Sequence, residues 1–425
     1  MGRASRAGCP ELNRYERRRQ LLKLLPLMLA LLGLCSRFIG SAAADSGEAP
    51  LASDYREAEA SISAGAYQQC AVTAVKGVKC WGYGPGGRLG DGTENTSATP
   101  VDVVGLDSEV SEVVAGDGST CALTTSGGAK CWGGGVGDGS VNNYSLTAVD
   151  VLGMTSGVRQ IAIGGGFTCF VTTASDVRCL GENGWAQLGD GTRTSTNTIS
   201  SVVQGLGSNV RSIATMGQAT CAIMLDTTVK CWGYAGFGQL GYGGYGIDAD
   251  HPYVDAPVTV TGLSSVVALA AGDGFICALT SAGAVSCWGS NGDGQFGNGT
   301  ATSSPTPVAI PSLQSGVLAI TAGIASMCAL LDTNEVKCSG RNSEAGLGLG
   351  YTGGPQYTPV ALTGLSGTIT AVTLGSYHGC ALNSIGELRC WGSVAGLPGP
   401  VTSPTIVAGF DGVHTRVITA GAVVG

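Results

Sequence analysis

The run Cys277-Ala278-Leu279-Thr280-Ser281-Ala282-Gly283-Ala284-Val285-Ser286-Cys287-Trp288-Gly289 decides the fold, because the chain copies its pattern seven times. Nine residues separate the two cysteines, and two short apolar stretches meet at a central turn. The same C-x9-C spacing relates Cys70 to Cys80, Cys121 to Cys131, Cys169 to Cys179, Cys221 to Cys231, Cys328 to Cys338 and Cys380 to Cys390. Successive first cysteines are 51, 48, 52, 56, 51 and 52 residues apart. A period near fifty means one supersecondary unit repeated along the chain.

Working outward from the cysteines completes the unit. A short apolar segment ending in Gly precedes each pair, as in Ser61–Gly65, Val114–Gly116, Ile161–Gly164 and Ile320–Gly323. A glycine-rich stretch such as Gly189-Asp190-Gly191-Thr192 follows, and a Val-rich run such as Pro100–Leu106 closes the unit. These are four β-branched runs separated by Gly, Pro, Asn and Asp, which reads as four short antiparallel strands per unit. No sustained 3.6-residue period is present, so the expectation is an all-β chain. The Gly-Asp-Gly-Thr loops lack the alternating carboxylates of a calcium loop and read as turns.

Gly127, Gly283, Asn334 and Gly386 stand just before the second cysteine strand, where a three-residue hairpin needs a left-handed residue. Folding that hairpin brings each cysteine pair opposite one another, within disulfide reach. Seven bridges are therefore expected, Cys70 with Cys80, Cys121 with Cys131, Cys169 with Cys179, Cys221 with Cys231, Cys277 with Cys287, Cys328 with Cys338 and Cys380 with Cys390. Thiol–metal sites are the competing reading. Zinc wants four ligands, and each unit offers two thiols and no repeated His, so no metal or other cofactor is expected.

The N-terminus speaks to location. Arg14, Arg17, Arg18, Arg19 and Lys23 precede an apolar run from Leu24 to Cys35, and Ser41-Ala42-Ala43-Ala44-Asp45 follows. This is the layout of a secretory signal over residues 1–44, cleaved after Ala44, with 45–57 a linker and 58–425 the repeat domain. The apolar run is too short for a stable membrane span; retention as a signal-anchor is the alternative. Cleavage would remove Cys9 and Cys35 together and leave the seven pairs with no odd thiol. Both features point to an extracytoplasmic, oxidising destination, secreted or surface-attached.

Charge narrows the partners. Residues 1–44 hold eight of the 22 basic residues and two of the 30 acidic ones, so 45–425 carry 14 basic against 28 acidic, a net charge of −14. Nucleic-acid binding needs a clustered basic face, and none is present. With 71 glycines and 44% apolar residues in strict period, the composition suits tight strands and turns rather than a disordered chain.

The grammar Cys-Ala-Leu-Thr…Val-x-Cys-Trp-Gly, then Gly238-Gln239-Leu240-Gly241 or Gly294-Gln295-Phe296-Gly297, then Pro-Val-x-Val resembles the repeats of the regulator of chromosome condensation over residues 58–421. The paired cysteines look like a secreted bacterial branch of that superfamily. The resemblance implies a seven-bladed β-propeller with four strands per blade. Trp81, Trp132, Trp232, Trp288 and Trp391 follow the second cysteine, with Leu180 and Ser339 in the third and sixth units. Such a recurring ring reads as an inter-blade packing element. An eighth copy of the first strand, Val417-Ile418-Thr419-Ala420-Gly421, suggests a clasp on the first blade, competing with Ile62–Gly65; a truncated eighth unit is the alternative.

Catalysis finds no support. His251, His378 and His414 lie in different repeats, outside any nucleophile or zinc motif, and read as surface residues. Function in propellers sits on loops at one face. The fourth unit is the longest, and Tyr242, Tyr245, Asp248, Asp250, His251, Tyr253 and Asp255 make its inserted loop the candidate partner-binding patch. The expected function is a non-catalytic, monomeric, protein-binding propeller, of which an inhibitor of an extracellular enzyme is one form. The alternative implied by the resemblance is guanine-nucleotide exchange on a small GTPase, which calls for a cytosolic or nuclear location, where seven disulfides would be unusual.

Overall fold

The computed structural model describes residues 62–140, 144–200, 202–248 and 250–410. The signal, its cleavage site, the linker up to residue 57, His414 and Val417–Gly421 lie outside those residues. Among the described residues there are 27 strands and no helix, hence no helix long and apolar enough to cross a membrane. The strands form seven antiparallel sheets in chain order, the blades of a propeller.

Blade 1 shows the unit: Ile62–Ala64, Gln68–Val72, Val78–Gly82 and Ser97–Asp102, side by side in that order. Six blades have four strands. Blade 3 has three, Val158–Ile163, Phe167–Thr172 and Val177–Gly181, and its fourth is reduced to bridges of Arg178 with Val202 and Gly181 with Thr196. There the run Thr192–Ser201 is nearly all Ser, Thr and Asn, without the Pro-Val-x-Val alternation of its counterparts.

Register places every cysteine pair directly opposite across the second and third strands, with Cα atoms 4.0–4.1 Å apart. That is the close, non-hydrogen-bonded spacing of an antiparallel pair. All seven expected bridges are formed, one per blade. Cys70 joins Cys80, Cys121 joins Cys131, Cys169 joins Cys179 and Cys221 joins Cys231 in blades 1 to 4. Cys277 joins Cys287, Cys328 joins Cys338 and Cys380 joins Cys390 in blades 5 to 7. The turn residue six positions after each first cysteine has positive φ in every blade: Gly127, Gly283, Asn334 and Gly386 as expected, and also Lys76, Ser175 and Thr227.

The core lies between blades. Ile223, Val229 and Leu240 of blade 4, for example, share one cluster with Val266, Leu269, Ile276 and Trp288 of blade 5. The ring after the second cysteine reaches back to the preceding blade. Trp132 Nε1 donates to the Arg88 carbonyl (3.0 Å), Trp232 to Gln187 (3.0 Å), Trp288 to Gln239 (2.8 Å) and Trp391 to Gly346 (2.9 Å). Ser339 keeps the same bond through its hydroxyl, to the Gln295 carbonyl at 3.2 Å. Each of these four tryptophans therefore combines apolar burial with a satisfied N–H.

Around the axis, backbone meets backbone. A Cβ on Gly65 would stand 2.3 Å from the Gly116 carbonyl oxygen, on Gly272 2.3 Å from that of Gly323, and on Gly323 2.2 Å from that of Gly375. A Cβ on Gly375 would meet Gly65 O at 2.2 Å, so blade 7 abuts blade 1 as the others abut their neighbours. The Ala64 N–H also donates to Thr373 Oγ1 (3.1 Å), just as the Ala115 N–H donates to Ser63 Oγ (2.9 Å). The clasp expected of Val417–Gly421 falls outside the described residues. Ile62–Ala64 itself occupies the first position of blade 1, paired with Gln69–Ala71. The contact also fixes a test. Gly375→Ala should cost about 1–3 kcal/mol through overpacking against rigid backbone, whereas Gly292→Ala, whose Cβ meets nothing within 4 Å, should be near neutral. Denaturant unfolding of the two variants measures both.

Candidate functional site: an aromatic face and a notch on the loop side of blades 2 to 4

The strand ends that carry the glycine-rich loops make one face of the ring. The Asp-Gly-Thr loops are tight turns there: the Thr93 and Thr192 N–H groups donate to Asp91 and Asp190 Oδ1, both at 2.9 Å. The fourth-blade segment singled out by its tyrosines and aspartates divides into structural and exposed members. The Tyr242 hydroxyl donates to the Gly246 carbonyl (3.0 Å) and accepts from the Gly246 N–H (2.9 Å), closing the loop on itself. Tyr253 begins the strand Tyr253–Thr259 and is 6% exposed, so it is a packing residue and not a free loop tyrosine. Asp255 is exposed on that same strand. Tyr245 is 52% exposed, Ile247 62%, and Asp248, Asp250 and His251 are exposed. His251 Nδ1 lies 2.8 Å from Asp248 Oδ1, and this hydrogen bond holds the Asp248 carboxyl below its usual range.

Three aromatic residues absent from the sequence expectation dominate the face. Trp185 packs edge-on to Tyr234 (5.0 Å), Tyr234 to Phe237 (5.7 Å), and Trp185 also contacts Tyr253 (6.5 Å), which meets His251 (5.9 Å). The Arg193 guanidinium covers the Tyr253 ring at 5.0 Å. Phe237 is 48% exposed. A signal existed in the repeat alignment. Trp185 and Phe237 stand three residues before the buried Leu188 and Leu240, where the first, fifth and sixth units have Gly86, Asp293 and Glu344. In blades 5 and 6 the Trp185–Tyr234 pair is replaced by an ion pair, Arg341 Nη2 to Asp293 Oδ2 at 2.7 Å.

Between blades 2 and 3 the same face opens into a notch of about 590 Å³. The cause is local. Two residues, Gly134 and Gly135, join Gly133 to Val136, where blade 3 has the six residues Glu182–Gln187 between Gly181 and Leu188. Blade 2 therefore lacks the turn that carries Trp185 or Phe237 elsewhere. Blade 3 correspondingly has Leu180 in place of Trp, with no ring N–H to satisfy. Asp117 and Glu182 line the notch. Asp117 also acts at a distance on Asp273, whose carboxyl is raised first by burial and then by the Asp117 charge.

Two of the three histidines lie among the described residues, in different surroundings. His251 is exposed, but His378 is 1% exposed, correcting the surface reading. It faces the blade 7–blade 1 seam with neither ring nitrogen hydrogen-bonded. Burial pushes it down to about 4, against a smaller upward pull from the Gln68 backbone. Among the described residues no group of three or more His, Cys, Asp or Glu is placed to hold a metal ion.

The fold and the repeats have known counterparts. Residues 78–123 and 282–330, and separately 266–295 and 369–393, match profiles of the regulator of chromosome condensation (RCC1) repeat. The chain is 31% identical over 227 residues to the E3 ubiquitin-protein ligase HERC2 of Mus musculus, covering 51% of this chain and 4% of that one. It is 27% identical over 280 residues to the ultraviolet-B receptor UVR8 of Arabidopsis thaliana, covering 64% and 62%. The chain thus spans less than two thirds of these relatives. Among solved structures, Prp20p from Saccharomyces cerevisiae superposes with a TM-score of 0.68 at 20% identity, covering 81% and 86% of the two chains. Yeast RCC1 (Prp20) bound to Kap60 gives 0.70 at 18%, covering 84% and 86%. Seven blades, the repeat grammar and the matched segments together make this chain an RCC1-repeat propeller.

Proposed function

We propose that this chain is an extracytoplasmic propeller that binds another protein through the loop face of blades 3 and 4, without catalysing a reaction. The carrying observation is the connected run of rings Phe237, Tyr234, Trp185, Tyr253 and His251 across two blades, flanked by exposed Tyr245 and Ile247. Aromatic side chains offer large contact area at low entropy cost and dominate protein interfaces. Seven buried cystine bridges support an oxidising compartment, since cytosolic thiols are kept reduced. Prp20p is described as binding Gsp1p and histones; at this identity the likeness supports a protein-binding scaffold and names no partner here.

The test uses a photo-crosslinking amino acid at Phe237 or Tyr245, with Ile385 as control. Ile385 is 81% exposed and sits on a hairpin turn at the other end of the strands. In the native host, a discrete protein adduct is expected from the first two positions and not from Ile385. Equal labelling at all three would remove this face from consideration. Accelerated nucleotide release from a small GTPase would favour the exchange alternative instead. Tyr253 is unsuited to this test, because its substitution would disturb packing.

A further inference from the structure

The notch between blades 2 and 3 exposes polar groups that the flanking blade boundaries use internally. In the flanking blades the residue before the first cysteine bonds back across the blade boundary. Thr120 Oγ1 donates to the Arg88 carbonyl at 3.3 Å, and Thr220 Oγ1 to the Gln187 carbonyl at 3.2 Å. Thr168 holds the same position in blade 3 and is 2% exposed, yet its hydroxyl has no hydrogen-bond partner among the described residues. The shortened blade 2 loop has withdrawn the acceptor. Ser119, 8% exposed on the opposite wall, is equally unpartnered. Both residues line the cavity, and their hydroxyls face it instead of a protein acceptor, so they are free to meet polar atoms that enter it.

The remaining walls define which atoms. The carboxylates of Asp117 and Glu182 line the cavity, and neither makes an ion pair among the described residues. Arg88 stands at the rim but directs its donors to the carbonyls of Pro85 and, at 3.1 Å, Asp117, not to either carboxylate. Gly118, Gly134, Gly135, Gly166 and Gly181 keep the floor free of side chains. The site is thus rich in acceptors, negative, and within the size range of small-ligand pockets.

We infer that this notch receives a guanidinium-bearing side chain, an arginine presented by the partner polypeptide. Its planar group offers five donors and a delocalised charge, matching two carboxylates and two hydroxyl oxygens better than a point ammonium does. The inference that the arginine is carried by a protein rests on the protein-binding reading above. The chemistry of the notch does not.

The test is saturation-transfer NMR on the full chain with three blocked tripeptides, Gly-Arg-Gly, Gly-citrulline-Gly and Gly-Glu-Gly. Transfer to the arginine methylenes is expected, with weak transfer to citrulline and none to the glutamate peptide. Asp117→Asn and Glu182→Gln should each weaken arginine binding by about tenfold or more, the size of a charge-assisted hydrogen bond. Gly134→Tyr gives a second handle. Its Cβ would meet only Gly118 O, at 3.6 Å, without positive φ, and blades 1 and 4 carry Tyr83 and Tyr234 there. This variant should fold as the parent does, judged by its unfolding temperature, and lose the signal. Equal transfer to arginine and citrulline, or full transfer to a folded Gly134→Tyr variant, would overturn the assignment. Crosslinking at Phe237 is read separately, so either reading can fail without the other.

Discussion

Reduction of all seven cystine bridges is expected to abolish cooperative folding. Each bridge closes a hairpin with a sequence separation of 10, worth about 2.7 kcal/mol in the chain-entropy account. The hairpin turn already restricts the unfolded loop, so the effective contribution is smaller. Even at half that value, seven bridges rival the roughly 5–15 kcal/mol of net stability typical of a domain. The cysteines are 0–5% exposed, so reductant should act only after opening. Circular dichroism should change little when thiol reductant is added to native protein. After denaturation, reduction and dilution it should show no cooperative thermal transition. A single-pair variant, Cys221→Ala with Cys231→Ala, is expected to lose about 1–3 kcal/mol. A fully reduced chain with an unchanged unfolding temperature would show that inter-blade packing suffices.

Acidification should weaken the ring at its closing seam. His378 is buried and unpaired, and its pKa is lowered to about 4 from 6.5. No charged group contributes to the shift: desolvation lowers it, and only the Gln68 backbone opposes. Because the native value lies below the unfolded one, the unfolded chain takes up the proton first. The stability cost is therefore absent above pH 6.5. It grows by about 1.4 kcal/mol per pH unit below that and levels off near pH 4, for a total of roughly 3 kcal/mol. Gln68 supplies the control. It occupies the equivalent place in blade 1, where its Nε2 donates to the Gly116 carbonyl at 2.9 Å. His378→Gln should retain stability at neutral pH and lose this component of the acid sensitivity. Identical pH profiles of denaturant midpoint for the two proteins would exclude His378 as the cause.

Parts of the site could be read from the chain and parts could not. The long fourth unit carries Tyr253 and His251, two members of the run of rings on the loop face. Its tyrosines were ambiguous, since a ring with one polar atom suits a loop tip, a loop closure or a strand equally well. Tyr245 is the first, Tyr242 the second and Tyr253 the third. Trp185, Tyr234 and Phe237 are not legible as a surface cluster from the chain, because each sits in a glycine-rich stretch that otherwise forms turns. The deletion that opens the notch was visible as a short spacing between Gly133 and Val136. Its chemical consequence was not, because the loss of an acceptor for Thr168 depends on a neighbouring blade.

Period, hairpins and cysteine pairing were settled by the sequence alone, since each is a local relation: nine intervening residues, a three-residue turn and an alternating strand dictate one another. The turns show where that locality ends. Gly and Asn announced the left-handed position in four units, while Lys76, Ser175 and Thr227 adopt φ of 63°, 61° and 68° without announcing it. Their strands, paired in register and bridged, over-determine the turn and override the residue's preference. Ring closure, the burial of His378 and the content of the notch were decided only by tertiary structure. Each arises where two blades distant in sequence meet, and the repeat pattern of one blade contains no record of what its neighbour lacks.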